Sequence, residues 1–284
     1  IYFSGFSKAQ EAKRRRGGRV ILDALVGLIK RPLGTDLAAL MEKEIRSFFR
    51  DNTQWSQLFL LAALVVVYLY NFSVLPLERS RIRLEFLQNE IAFLNMALAG
   101  FVLAAVSVRF IFPAVSSEGG AFWIIRSSPL SIRRFLWGKF ALYVLPMLLL
   151  GEGLIIVTNR LLEVTPFMMA LSTITMFLAV FGIVALAIGF GALYPNFKYE
   201  NIAQVATGFG GLMYMIFSAL FMALVIVLEA GPVYMIFMAG VRGVSLTPFE
   251  WIVIIPCFIA VVLIMVLAVY KPISLGEHAL EQQQ

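Results

Sequence analysis

Residues 167–193 read FMMALSTITMFLAVFGIVALAIGFGAL and contain no charged side chain. Because a helix needs roughly 20 apolar residues to cross about 30 Å of hydrocarbon, this stretch predicts a transmembrane helix over 166–194. Five other stretches predict spans by the same criterion, at about 55–76, 91–113, 140–159, 205–229 and 249–271. The sequence therefore predicts an all-α, polytopic membrane protein with six transmembrane helices.

The composition of the whole chain agrees with this class. Of its 284 residues, 61% are hydrophobic and 14% are charged, whereas an average soluble domain is about 45–50% apolar and about 25% charged. The single cysteine, Cys257, excludes an internal disulfide, and the single histidine is His278. With so few ligand side chains, we expect no metal site and no cofactor bound by this chain.

The segment before the first span is amphipathic. Residues 36–51, DLAALMEKEIRSFFRD, place apolar side chains at helical spacing on one face and charged side chains on the other. This pattern is typical of a helix that lies along the membrane surface. We therefore divide the chain into a basic linker with an interfacial helix (1–54), a six-helix transmembrane domain (55–271) and a cytoplasmic tail (272–284).

The positions of Lys and Arg predict the orientation in the membrane. Residues 1–50 hold eleven of the 23 cations, including the run KRRR at 13–16. With a cytoplasmic N-terminus, 17 cations lie inside and 5 outside, as the positive-inside rule requires. Both termini are then cytoplasmic. A basic run can also bind nucleic acid, but beside six spans it predicts an anchor at anionic headgroups and no nucleic-acid partner.

The first predicted inner loop, residues 114–139, is basic and aromatic. It contains EGGAFWIIRSSPLSIRRFLWGK at 118–139, in which Gly119 and Gly120 interrupt the preceding helix. Ser128 followed by Pro129 is typical of a helix N-cap and first turn. We expect two short helices, at about 121–127 and 129–138. Their cations either face water and a partner or extend along an interfacial loop to reach the headgroups.

The second predicted inner loop covers residues 192–211, ALYPNFKYENIAQVATGFGG. Its polar residues from Pro195 to Asn201 predict a compact turn, followed by a short helix from about 199 to 206. Three glycines, at 208, 210 and 211, then allow close helix contact at the start of the fifth span. A simple turn between two spans is the alternative interpretation.

Together these features resemble the permease subunits of type-2 ATP-binding-cassette exporters. The similarity includes the amphipathic helix, the six spans and the loop sequence RSSPLSIRRFLWGKF. The stretches FPAVSSEGGAFWIIRSSPLSIRRFLWGKF (112–140) and GALYPNFKYENIAQ (191–204) are similar to a bacterial subgroup of long permeases with two six-span halves. The resemblance covers residues 5–271 and implies that this chain is the second half.

The resemblance implies a function in which the inner loops act as coupling helices. They would dock on ATPase subunits and drive export by alternating access at the bacterial inner membrane. A second six-span half would come from the same chain, a homologue or a second copy. The implied ATPase-coupling residues are Glu118, Trp123, Arg126, Pro129, Arg133, Arg134, Lys198, Glu200 and Asn201.

The chain itself has no phosphate-binding loop of the form GxxxxGK[ST]. Its one Gly-Lys pair, Gly138-Lys139, is followed by Phe140. We therefore expect a permease that is not an enzyme, with ATP and Mg²⁺ bound by the partner ATPase.

Polar residues inside the predicted spans suggest a substrate path. Glu152 lies near the middle of the third span, where a charge costs about 2.5–3.5 kcal/mol to insert. It either faces a path or a partner half, or is a protonated, hydrogen-bonded structural group, and Asn95 is a weaker candidate. Two alternative functions remain open: a lipid-modifying enzyme that uses Glu152 with Arg109 or Asn95, and a secondary transporter or channel.

Overall fold

A computed structural model describes residues 35–50, 52–74, 84–199 and 201–282, and the regular structure in these ranges is helical. Two compact units make up the chain, Ile1–Arg50 and Asp51–Gln284. In the first unit, helix α1 spans Thr35–Arg50 and confirms the predicted amphipathic helix. Arg46 pairs with Glu42 one turn earlier on its charged face.

The second unit contains six helices that are long and apolar enough to cross a membrane. They are α2 (Asn52–Ser73), α3 (Leu84–Phe110), α5 (Ile132–Leu161), α6 (Pro166–Leu193), α8 (Phe209–Arg242) and α9 (Pro248–Gln282). Two short helices separate them, α4 (Phe122–Ser127) and α7 (Ile202–Thr207), together with 3-10 turns at Phe112–Ala114 and Ser116–Ala121. The predicted six-span, all-α class is confirmed.

Helix α6 is the centre of the second unit. It contacts α3, α5, α8 and α9, and its residues Val180 and Ile183 are fully buried. At its C-terminal end, glycines allow the neighbouring segments to approach closely. A Cβ on Gly189 would lie 2.4 Å from the backbone of Pro272 in α9, and one on Gly191 would lie 2.3 Å from the carbonyl oxygen of Phe112.

Helix α2 is far less buried than α6. None of the residues in its most apolar 18-residue window is buried, although it contacts α5. A polar cluster joins it to the bundle, because the Tyr68 hydroxyl donates to Asn95 Oδ1 and Asn95 Nδ2 donates to Thr158 Oγ1 at 2.8 Å. Asn95, a predicted substrate-path residue, is therefore a buried tie between α2, α3 and α5.

The predicted separate helix over 129–138 is wrong. The chain is continuous helix from Ile132 to Leu161, and the N-cap is Ser131, whose side chain accepts from the Arg134 amide. Ser128 and Pro129 lie in the turn before it. The physical reason is that no helix breaker follows Ile132 until the membrane span has begun, since one glycine, Gly138, is tolerated within a helix.

The last two long helices extend beyond the predicted spans. Helix α8 continues past residue 229 to Arg242. Helix α9 continues through 272–282, which the sequence analysis assigned to a tail, because Ile273, Gly276 and Leu280 form a buried face. At Gly276 a Cβ would lie 2.7 Å from the Cβ of Ala192. This part of α9 is packed on the end of α6.

Antiparallel packing gives the bundle two ends. The C-terminal ends of α3 and α6 and the N-terminal ends of α5 and α8 lie at what we call the loop end, with α4 and α7. The opposite end holds the N-terminal ends of α3 and α6 and the C-terminal end of α8.

Candidate functional site

The two loops singled out in the sequence meet at the loop end and contact each other directly. The Asn196 amide donates to Ser116 Oγ at 3.0 Å, and the Tyr199 hydroxyl lies 3.5 Å from the carbonyl oxygen of Ser117. The rings of Phe122 and Phe197 are stacked with centroids 4.8 Å apart. We call residues 112–139 and 194–207 together the loop platform.

A sharp turn at Gly119 shapes the first half of the platform. Its φ of 51° and ψ of −138° lie in a region that favours glycine. The turn directs the chain from the 3-10 segment into α4, and Tyr199 and Phe197 of the second loop lie beside it. The glycine predicted to break the helix therefore positions α4.

A buried ion pair joins the 3-10 segment to α5. Lys139 Nζ lies 2.9 Å from Glu118 Oε1, and the two side chains are 0% and 2% exposed. The same ammonium donates to the Ala114 carbonyl oxygen at 2.8 Å and lies 5.0 Å from the ring centroid of Phe135. Glu118, which the resemblance places on a coupling surface, therefore lies inside the platform and holds its shape.

The other predicted coupling residues lie on the platform surface. Trp123 is 66% exposed, and the remaining exposed members are Arg126, Pro129, Arg133, Arg134, Lys198 and Asn201. The Asn201 side chain also accepts from the Ala203 amide at 3.0 Å and so caps α7. Glu200 lies outside the described residues.

The exposed charges in the described parts of this surface have one sign. In the described parts of the platform, Glu118 is the single carboxylate, and it is buried. Four cations are exposed there: Arg126, Arg133, Arg134 and Lys198. Arg133 and Arg134 occupy the first turn of α5, where the helix dipole disfavours positive charge by typically 0.3–1 kcal/mol. Such a surface is complementary to an acidic partner.

Two of the described carboxylates lie deep within long helices, Glu152 in α5 and Glu229 in α8. Neither oxygen of Glu152 has a hydrogen-bond partner among the described residues. Asn95 is bonded to Thr158, which lies six residues after Glu152 on α5, about 9 Å along the helix. The structure therefore does not bring Glu152 and Asn95 together. The second carboxylate, Glu229, is 1% exposed and accepts from Thr175 Oγ1 at 2.7 Å.

Glu229 was not predicted as an intramembrane group. The predicted fifth span ends at 229, at its first acidic residue, although the apolar run resumes in AGPVYMIFMAG at 230–240. Extending the apolar window across one charge would have placed Glu229 within a longer helix, as observed in α8.

Comparison with known protein families gives a match. A family model described as "Putative ATP-binding cassette" matches residues 1–283, a range that includes both halves of the loop platform and all six long helices. Searches of curated proteins and of solved structures found no match.

Proposed function

Because this chain belongs to the "Putative ATP-binding cassette" family, we propose that it is a permease half of an ATP-driven exporter. ATPase subunits dock on its loop platform and supply the ATP and Mg²⁺, since these 284 residues contain no GxxxxGK[ST] loop. A second six-span half, from the same chain, a homologue or a second copy, completes the membrane domain. The proposal places the protein in a bacterial inner membrane.

The observation that carries the proposal is the cationic surface of a well-packed platform. Hydrogen bonds and the Phe122–Phe197 stack fix the two loops to each other, so a docked partner would contact a defined shape. Arg133 and Arg134 lie where their own helix gives them no stabilisation. An anionic groove on a partner provides the favourable interaction that the helix does not.

The orientation supports the same function. The sequence-based count of 17 cations inside against 5 outside supports a cytoplasmic platform. ATP and soluble ATPase subunits are found on that side.

Helix α5 connects the platform to the membrane interior. It is one helix of 30 residues with Pro146 inside it, about 45 Å long at 1.5 Å per residue. A displacement of Arg133 and Arg134 by the ATPase therefore moves a helix that also carries Glu152. We assign Glu152 to the substrate path in preference to Asn95, whose amide is already bonded to Tyr68 and Thr158.

The geometry gives less support to the alternative functions. A lipid-modifying enzyme built on Glu152 and Asn95 requires these groups to converge, but Asn95 is bonded to Tyr68 and Thr158, and Glu152 has no hydrogen-bond partner among the described residues. An enzyme that uses Glu152 with Arg109 remains an alternative. A secondary transporter remains an outcome of the experiment below, since transport without an ATPase partner would favour it.

The test reverses two charges on the platform. In Arg133→Glu/Arg134→Glu we expect recovery of the co-purifying ATPase subunit to fall at least about tenfold, because like charges at an interface cost several kcal/mol. Substrate-stimulated ATP turnover should fall with it. Both side chains are exposed, so the membrane domain should remain inserted and monodisperse.

The matched control makes the same charge change at the opposite end of the bundle. Arg160 and Arg242 are exposed in the last turns of α5 and α8, and Arg160→Glu/Arg242→Glu should retain the ATPase. Normal assembly and coupled turnover in the platform variant would refute docking at Arg133 and Arg134. Loss of insertion would instead show that these cations serve to contact headgroups.

A further inference from the structure

A small pocket at the opposite end of the bundle has no part in the proposed coupling. It lies between the N-terminal ends of α3 and α6 and the C-terminal third of α8, and its volume is about 230 Å³. Its lining includes one carboxylate, Glu90, and four aromatic rings, those of Phe93, Phe167, Tyr234 and Phe237. No Lys or Arg is among the described residues that line it.

This combination of groups selects for positive charge. Aromatic ring faces attract cations through their quadrupoles, and quaternary ammonium groups are recognised by cages of such rings. Glu90 adds a carboxylate to the lining, and none of the ion pairs among the described residues includes it.

The pocket is preformed in the absence of a ligand. Asn89 Oδ1 accepts from both the backbone amide and the hydroxyl of Thr165, at 3.1 and 2.8 Å, and these bonds hold α3 against the start of α6. The same helix start offers little to an anion. Pro166 has no N–H, and the Met168 amide already donates to Thr165 Oγ1 at 3.4 Å.

The size of the pocket indicates how much of a ligand it holds. Its volume is below the roughly 300–1,000 Å³ of sites that enclose drug-sized molecules. Two of its rings also face outward, since Tyr234 is 54% exposed and Phe167 is 37% exposed. A small head group therefore fits inside, while an apolar tail extends past these rings along the surface of the spans into the lipid.

We propose that this pocket binds the ammonium head group of a cationic amphiphile. The inference rests on the proposed function in one respect, because it gives the exporter a class of substrate. The binding itself requires no ATPase.

The test uses the purified full chain in dodecyl maltoside, with binding followed by calorimetry and by the shift in unfolding temperature. We expect octyltrimethylammonium to bind at least about tenfold more tightly than its neutral isostere, in which carbon replaces nitrogen. Glu90→Gln should weaken binding about tenfold, and Tyr234→Leu should weaken it several-fold. Tyr234→Phe, which keeps the ring, should bind normally.

A second ligand and two contradicting outcomes complete the test. Octylphosphocholine carries the same ammonium group together with a phosphate. If it binds as tightly as octyltrimethylammonium, the source of the ammonium is a zwitterionic lipid. If it binds more weakly, the ligand is an amphiphile without phosphate. Equal affinity for the neutral isostere, or unchanged affinity in a Glu90→Gln protein with a normal unliganded unfolding temperature, overturns the proposal. Neither result affects ATPase docking, which the Arg133 and Arg134 experiment tests independently.

Discussion

Two pairs of charged residues in one loop have opposite environments. Glu118 and Lys139 are buried against each other inside the platform, whereas Arg133 and Arg134 are exposed on its surface. All four lie within 22 consecutive residues, in a stretch whose composition does not distinguish them. The buried pair maintains the shape of the platform, and the exposed pair is the one to which the proposed function assigns docking.

Removing one partner of the buried pair tests this difference most strongly. Lys139→Met should destabilise the protein by about 3–5 kcal/mol, because it leaves the Glu118 carboxylate buried and uncompensated. Thermal unfolding in detergent and the yield of monodisperse protein measure the loss. Arg133→Met, at an exposed position, should change stability by no more than about 0.5 kcal/mol.

A double variant separates charge from packing. In Glu118→Leu/Lys139→Met both charges are replaced by apolar groups, a change that is often neutral at buried pairs. We expect it to recover most of the stability lost in Lys139→Met. Equal instability of the single and double variants would show that shape, not charge compensation, explains the loss.

The surface of α6 on which the platform rests is closely packed at Gly191. Gly191→Ala should destabilise the protein by about 1–3 kcal/mol, because the new Cβ would lie 2.3 Å from the Phe112 carbonyl oxygen and the backbone must move. Gly153→Ala on α5 is the matched control, with no atom within 4 Å of the added carbon. Equal unfolding temperatures for the two variants would contradict close packing at Gly191.

The smallest expected effect tests the contact between the two loops. Ser116→Ala removes the acceptor of the Asn196 amide and should cost about 1 kcal/mol. Hydrogen exchange at Asn196 should accelerate, while exchange in the middle of α6 stays slow. Ser127→Ala, whose hydroxyl is exposed and bonds within its own helix, should leave the Asn196 rate unchanged. Unchanged exchange in Ser116→Ala would mean that the loops are held together elsewhere.

The parts of the fold that depend on local sequence could be predicted. Long apolar runs require membrane helices whatever they pack against, and the short helices α4 and α7 lie close to their predicted positions at 121–127 and 199–206. Helix starts were harder, because Ser128 and Ser131 are both suitable N-caps. The structure identifies Ser131 as the N-cap, because the continuous helix begins at Ile132.

The roles of individual charges depend on distant contacts and could not be predicted. The position of Glu118 inside the platform requires Lys139, which is 21 residues away and reaches it only because α5 begins early enough to place it there. The pocket with Glu90 requires three helices from separate parts of the chain. The spacing of residues within a single segment predicts neither the Glu118–Lys139 ion pair nor this pocket.

The close contact between α6 and α9 also has a consequence for biogenesis. Pro248, the first residue of α9, follows Leu193, the last of α6, by 55 residues, so a ribosome adding about 5–20 residues per second needs on the order of 3–10 s to reach it. During that interval the Gly189 surface has no α9 to cover it. A nascent chain that stalls before residue 248 would therefore present this unpaired helix face to the insertion machinery and to quality-control proteases.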